Sequence, residues 1–452
     1  MSSSSITSPR ALWTVAWPMG AELLLGIAIG LAGVALASRV SDAAAAAYGI
    51  GNTLFACFFI AFRIVGAGVS VVITQRLGAG DAAGAARVAR AGLGASAWLG
   101  AVVATGVVLA ASPLLRALGT PAEVLPLAEP YLRLLALALG LDALNALMGA
   151  VLRAHLHARS ALWIALATNA VHLLACLPLM RGDGPLPALG LAGFALAMIA
   201  SRVVALVLHL RGWGAHLQLR PQAADWWRLE HGVLAPALRI GVPGAAEAIA
   251  YRVASLVVTA VVAHLGAGAL AAHAYAQQLG GLLILSSLSL GLAAEILVGH
   301  DVGAGRLDVA RRRVRLSIRW GLVVSCLSAV LLALLGPLAL GGFTRDAALL
   351  ELAAALLWVG VALEPGRAMN LVYVNALRAT GDVRWPVVVA ALSMTLVMAG
   401  GAWLLGLHFG LGLVGVWVAM VVDEWVRGLA VAWRWHRGPW PAALTGAARA
   451  PA

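Results

Sequence analysis

Apolar stretches of about 20 residues, the length that spans a bilayer core as a helix, follow one another from Ala11 to Trp435. No other feature narrows the possible folds as much. In hydrocarbon every backbone N–H and C=O must be bonded internally, so only helices and closed barrels can cross. The sustained period-two alternation of a membrane barrel strand is absent, which leaves helices. Hydrophobic residues make up 62% of the chain and charged residues 11%, against roughly 45–50% and about 25% in soluble domains. A water-soluble fold could not cover that much apolar surface.

Helices are predicted near 11–40, 46–74, 86–112, 126–155, 158–180, 189–210, 233–264, 269–299, 312–340, 348–378, 385–408 and 411–436. The formal charge is +12, and every basic residue is an arginine. Nucleic acid is not the expected partner, because the arginines gather in the loops of one side. With the amino terminus inside, that side holds Arg76, Arg87, Arg90, Arg153, Arg159, Arg211, Arg220, Arg228, Arg306, Arg311, Arg312 and Arg313 among others. Only Arg39, Arg116, Arg181 and Arg345 fall clearly outside. Both termini are therefore expected in the cytoplasm and the chain in the inner membrane. The serine-rich start, Met1 to Arg10, lacks the charged-then-apolar pattern of a cleaved signal, so the first helix is expected to stay. Cys57, Cys176 and Cys326 lie inside apolar helices at spacings that suggest neither a metal site nor a disulfide.

An internal repeat organises the spans. Pro18 and Pro243, Glu22 and Glu247, Gly78 and Gly303, Arg87 and Arg312, and Arg153 and Arg378 are each 225 residues apart. Later, Leu189 to Gly193 matches Leu411 to Gly415 at a spacing of 222, which implies a three-residue deletion in the second copy. Each repeat holds six spans, so both copies enter the membrane from the same side. The expected fold is an all-α integral membrane protein of twelve helices in two parallel, pseudo-symmetric six-helix lobes. The lobes are expected at 1–212 and 233–438, with a cytoplasmic linker at 213–232 and a cytoplasmic tail at 439–452.

At these residues the chain resembles the multidrug and toxic compound extrusion (MATE) family. The resemblance rests on Gly68 to Ala85 (GVSVVITQRLGAGDAAGA), its copy Ala293 to Ala310 (AAEILVGHDVGAGRLDVA), Asn375 to Pro386 (NALRATGDVRWP) and Gly412 to Ala419 (GLVGVWVA). It implies two lobes that alternate access and export organic cations in exchange for protons or sodium. Many bacterial members carry an aspartate in the first helix, at the position of Gly33 here. Their partner asparagine and aspartate in the fifth helix fall on His172 and Cys176. The acids that another branch uses in helices seven and ten fall on Tyr251 and Arg367.

An ionisable group facing lipid unpaired is expensive, so each one inside a span must face protein or water. Glu22 and Glu247 lie one turn beyond a helix-bending proline in each half and are expected to face the cavity, where a carboxylate can exchange a proton for a cation. The competing reading is that each only caps the broken backbone at the bend. Asp142 and Arg367 occupy equivalent positions with opposite charge, and Asn145 and Asn370 follow as an identical pair. The two charges either meet across the lobes or pair within them, with Glu364 one turn from Arg367. His172 is a candidate proton relay or a plain core histidine. Arg63, Arg252, Glu295, Asp423, Glu424 and Arg427 are expected to form structural ion pairs.

No catalytic triad, metal-ligand cluster or nucleotide-binding motif appears, so the chain is not expected to be an enzyme. No cofactor is expected either, the energy coming from a proton or sodium gradient. The expected partners are the lipid bilayer and a small amphipathic cation, and the expected state is a monomer. The alternative substrate is an anionic lipid-linked precursor carried by a flippase, which Arg63, Arg252 and Arg367 favour.

Overall fold

The computed structural model describes residues 9–182, 187–342 and 345–438, so the expected tail at 439–452 lies outside the described residues. Among the described residues, twelve long helices run in order: α1 (Pro9–Ser38), α2 (Asp42–Gly78), α3 (Ala82–Ala117), α4 (Leu125–Ala154), α5 (Ala158–Arg181), α6 (Gly190–Leu217), α7 (His231–His264), α8 (Ala267–Gly303), α9 (Leu307–Leu340), α10 (Ala347–Ala379), α11 (Arg384–His408) and α12 (Gly412–Arg437). The backbone of α11 widens into π turns at Met394–Ala399 and Leu404–His408. Among the described residues, α1 to α11 are all long and apolar enough to cross a membrane. The twelfth helix carries Asp423, Glu424 and Arg427 near its middle, and all three are buried.

Local chemistry fixes the turns. The Ser41 hydroxyl accepts from the Ala44 amide at 3.0 Å and caps α2. The Asp81 carboxylate accepts from the Gly84 amide at 2.8 Å and caps α3. The Gly-Ala-Gly loops that end α2 and α8 place Gly80 at φ +79° and Gly305 at φ +70°, left-handed values that glycine takes without strain. An ion pair braces each loop, Arg76 with Asp81 at 2.6 Å and Arg306 with Asp301 at 3.3 Å. These positions are equivalent in the repeat, and their charges are exchanged.

The chain forms two compact units, one of residues 21–241 and one of residues 1–20 with 242–452. Passage from one to the other falls inside α1 and inside α7, next to Pro18 and Pro243. Within the first unit α4 is central, packing on α2, α3 and α6, while α5 packs on α6. In the second unit α10 packs in the same way on α8, α9 and α12, while α11 packs on α12. The matching main neighbours in both units are the six-helix repeat seen in three dimensions.

The central helices are apolar on nearly all sides, with Tyr131, Leu135, Leu139, Leu147, Met148 and Leu152 of α4 buried. The stretch after α6 does not hang free. A short 3₁₀ turn, Ala223–Trp226, is closed by a reciprocal cap between Gln222 and Asp225. It lies on α3, where Trp98 donates to the Trp227 carbonyl at 2.8 Å. Nearby, Gly68 of α2 and Gly241 of α7 cross so closely that a Cβ on either would overlap the backbone carbonyl of Ala237 or Ile64.

Candidate ion-coupling site

In the first unit Asp142 of α4 faces α6, where it forms an ion pair with Arg202, whose Nε lies 2.7 Å from the carboxylate. One turn along α4, Asn145 donates to the Arg202 carbonyl at 3.0 Å and contacts the His209 ring at 3.2 Å. One carboxylate meets one guanidinium, and the pair is neutral.

The equivalent level of the second unit holds five charges. Glu364 and Arg367 come from α10, and Asp423, Glu424 and Arg427 come from α12. Arg367 lies 2.5 Å from Glu364 Oε1 and 3.6 Å from Glu424 Oε1. Arg427 reaches Asp423 at 2.6 Å and Glu424 at 2.9 Å. Ser393 of α11 donates to Asp423 at 2.6 Å, and Asn370 donates to Glu424 at 3.1 Å. Asp142 with Arg202 and Arg367 with Glu424 therefore occupy one frame, by the spacings of 225 and 222, with their charges exchanged. Where the first unit has Leu139, Ser201 and Ala205, the second has Glu364, Asp423 and Arg427. Its cluster carries three carboxylates against two guanidiniums.

Asp142 and Arg367 are thus each paired inside their own unit. Glu22 and Glu247 also have partners that the sequence reading did not foresee. Arg153, at the end of α4, donates to Glu22 at 2.9 Å, and Arg378, at the end of α10, reaches Glu247 at 3.4 Å and Glu295 at 3.5 Å. Each pair ties a central helix to the turn just beyond a bending proline. A narrow crevice beside Glu247 and Arg378 is lined by Val374, Val383 and Pro386.

His172 is buried edge-on against Phe194, with ring centroids 4.8 Å apart, in an aromatic core with Tyr48 and Tyr131. Cys176 lies in the same core, 3.3 Å from the Met180 sulfur. The Tyr48 hydroxyl donates to the Gly30 carbonyl at 3.3 Å and fills the space into which a side chain at Gly33 would grow. An aspartate at Gly33 would collide with that ring. Arg252 is exposed in its unit, and the side chain of Arg63 lies outside the described set. Sequence reasoning missed Arg202 as the partner of Asp142. The 222 spacing that joins α6 to α12 was the available signal, since it maps Arg202 onto Glu424.

Comparison with known proteins agrees with this frame. The MatE family model matches residues 18–177 and 243–404, so its two copies begin at the equivalent prolines. The uncharacterized transporter YisQ of Bacillus subtilis is 29% identical over 430 residues, covering 95% of this chain and 94% of its own. The probable multidrug resistance protein NorM of Bradyrhizobium diazoefficiens is 31% identical over 435 residues, covering 92% and 91%. Among solved structures, an outward-facing multidrug resistance MATE family transporter of the MOP superfamily superposes with a TM-score of 0.85 at 20% identity, covering 94% of each chain. With two matched copies and near full-length relatives, the chain belongs to the MatE family of membrane transporters.

Proposed function

We propose that this transporter is a secondary-active antiporter that exports amphipathic organic cations in exchange for protons. Two lobes, 1–212 and 233–438, alternate access by rocking, and residues 213–232 connect them on the cytoplasmic side. The protein works as a monomer in the bacterial inner membrane with both termini in the cytoplasm. The energy comes from the ion gradient and from no bound cofactor.

The observation that carries the coupling is the surplus buried carboxylate between α10 and α12. A cation exchanger needs a negative site that a proton or a substrate charge can neutralise in turn, and this cluster has a formal charge of −1 when fully ionised. Arg367, which on sequence grounds favoured an anionic lipid precursor, is bracketed by Glu364 and Glu424 and leaves no free positive charge there. The flippase reading is therefore not favoured. Expression in a bacterium stripped of its own efflux pumps tests the proposal. Accumulation of a cationic dye should fall while that of an anionic dye is unchanged. Unchanged cationic dye accumulation in cells that make the protein would refute it.

A further inference from the structure

The three acids of the α10–α12 cluster are not equivalent. Both oxygens of Asp423 are engaged, one by Ser393 and one by Arg427. Both oxygens of Glu424 are engaged, one by Arg427 and one by Asn370. Glu364 is different. Its Oε1 meets Arg367, while its Oε2 is sealed from solvent without a hydrogen-bond partner, and the residue as a whole is 1% exposed. Burial with one oxygen left without a donor disfavours the anion, which a proton on that oxygen would relieve, while Arg367 at the other oxygen pulls the opposite way. We propose that Glu364 carries the exchanged proton, bound at Oε2. This deepens the antiport reading above and rests on it for the transport consequence alone.

The charge balance is simple. A hydronium ion gives its proton to Oε2 and leaves as water, taking the cluster from −1 to 0. Loss of that proton to water restores −1, and a monovalent substrate cation can then be accommodated. In the cluster around Glu364, α10 supplies Arg367, α12 supplies Asp423, Glu424 and Arg427, and α9 supplies the Cys326 thiol, while the Tyr251 phenol of α7 faces Arg367. The acid of α8, Glu295, is engaged with Arg378 instead.

A sodium ion suits the site poorly. It needs several oxygen ligands and no adjoining cation, whereas a guanidinium already lies 2.5 Å from this carboxylate. Among the described residues, no group of three His, Cys, Asp or Glu side chains is placed to hold a metal ion. The first unit has Leu139 at the equivalent position, so the device belongs to one lobe only.

Infrared difference spectroscopy on the purified full-length protein, stepped in pH, reads the proposal without requiring transport. Wild type should show a buried protonated carboxyl band that titrates. That band should be lost in Glu364→Gln, shifted in Glu364→Asp, and unchanged in Glu129→Gln, which alters a half-buried acid paired with Arg133. Should Glu364→Gln fail to fold, the shift in Glu364→Asp decides. Absence of the band in wild type, its persistence in Glu364→Gln, no shift in Glu364→Asp, or its removal by sodium chloride at fixed pH would each overturn the assignment. If the band behaves as expected but no cationic dye is moved, the antiport reading fails and the proton site stands.

Discussion

The exchanged charges at equivalent positions permit a sharp test, which is to write the second unit's polarity into the first. Asp142→Arg combined with Arg202→Glu reproduces the Arg367 and Glu424 arrangement within the α4–α6 frame. At 2.7 Å, the Asp142–Arg202 attraction is about 6 kcal/mol for an effective dielectric of about 20. Desolvation offsets part of it, and removing one partner of such a buried pair costs about 3–5 kcal/mol. Either single change should therefore cost at least that much, since it also sets like charges face to face. In the double variant the attraction returns, and Asn145 is placed to donate to the new carboxylate as Asn370 donates to Glu424. Unfolding in mixed detergent micelles should give a coupling energy of about 3 kcal/mol or more in a double-mutant cycle. A double variant as unstable as the sum of the singles would show that polarity is fixed by something other than the pair.

Three other substitutions probe the same account. Gly33→Asp should destabilise the protein by about 1–3 kcal/mol through overlap with the Tyr48 ring, and the same change should cost less in a Tyr48→Ala background, compared with Tyr48→Ala alone in a thermal melt. Glu22→Gln and Glu247→Gln should lower thermal stability by stripping Arg153 and Arg378 of a charged partner, yet keep the wild-type pH dependence of dye export. At the α2–α3 turn, the Gly84 amide and then Arg76 hold the Asp81 carboxyl below its ordinary value. A lowered folded value means the stabilisation is present above the ordinary carboxylate range and lost as pH falls through the lowered value. Asp81→Ala should cost about 1 kcal/mol of cap, the exposed ion pair adding little. Hydrogen exchange at Gly84 to Arg87 should show that loss at neutral pH and not in strong acid.

The spans and the repeat were legible because hydropathy and a fixed spacing are local or periodic signals. Pro18 with Pro243 and Glu22 with Glu247 needed only a constant offset. The ends of α2 were read short: it runs from Asp42 to Gly78 where apolarity alone indicated 46–74. A helix continues past the hydrocarbon into water, where residues such as Arg76 no longer mark it as apolar. The ion pairs were not legible, because Glu22 and Arg153 stand 131 residues apart and meet only in the folded chain. Asp423, Glu424 and Arg427 were recognisable as ion-pairing residues from their one-turn spacing. That they join Glu364 and Arg367 depends on α10 and α12 being packed together, which no local pattern encodes. Tyr48 filling the space at Gly33 was hidden for the same reason.

The central claim, export of organic cations driven by a proton gradient through Glu364, is tested most directly in proteoliposomes holding the purified protein. A fluorescent cationic dye is followed while a pH gradient or a sodium gradient is imposed separately. The account predicts uphill dye movement under the pH gradient, none under sodium alone, and none in Glu364→Gln under either. Dye movement driven by sodium alone, or a Glu364→Gln variant that still pumps under the pH gradient, would contradict it.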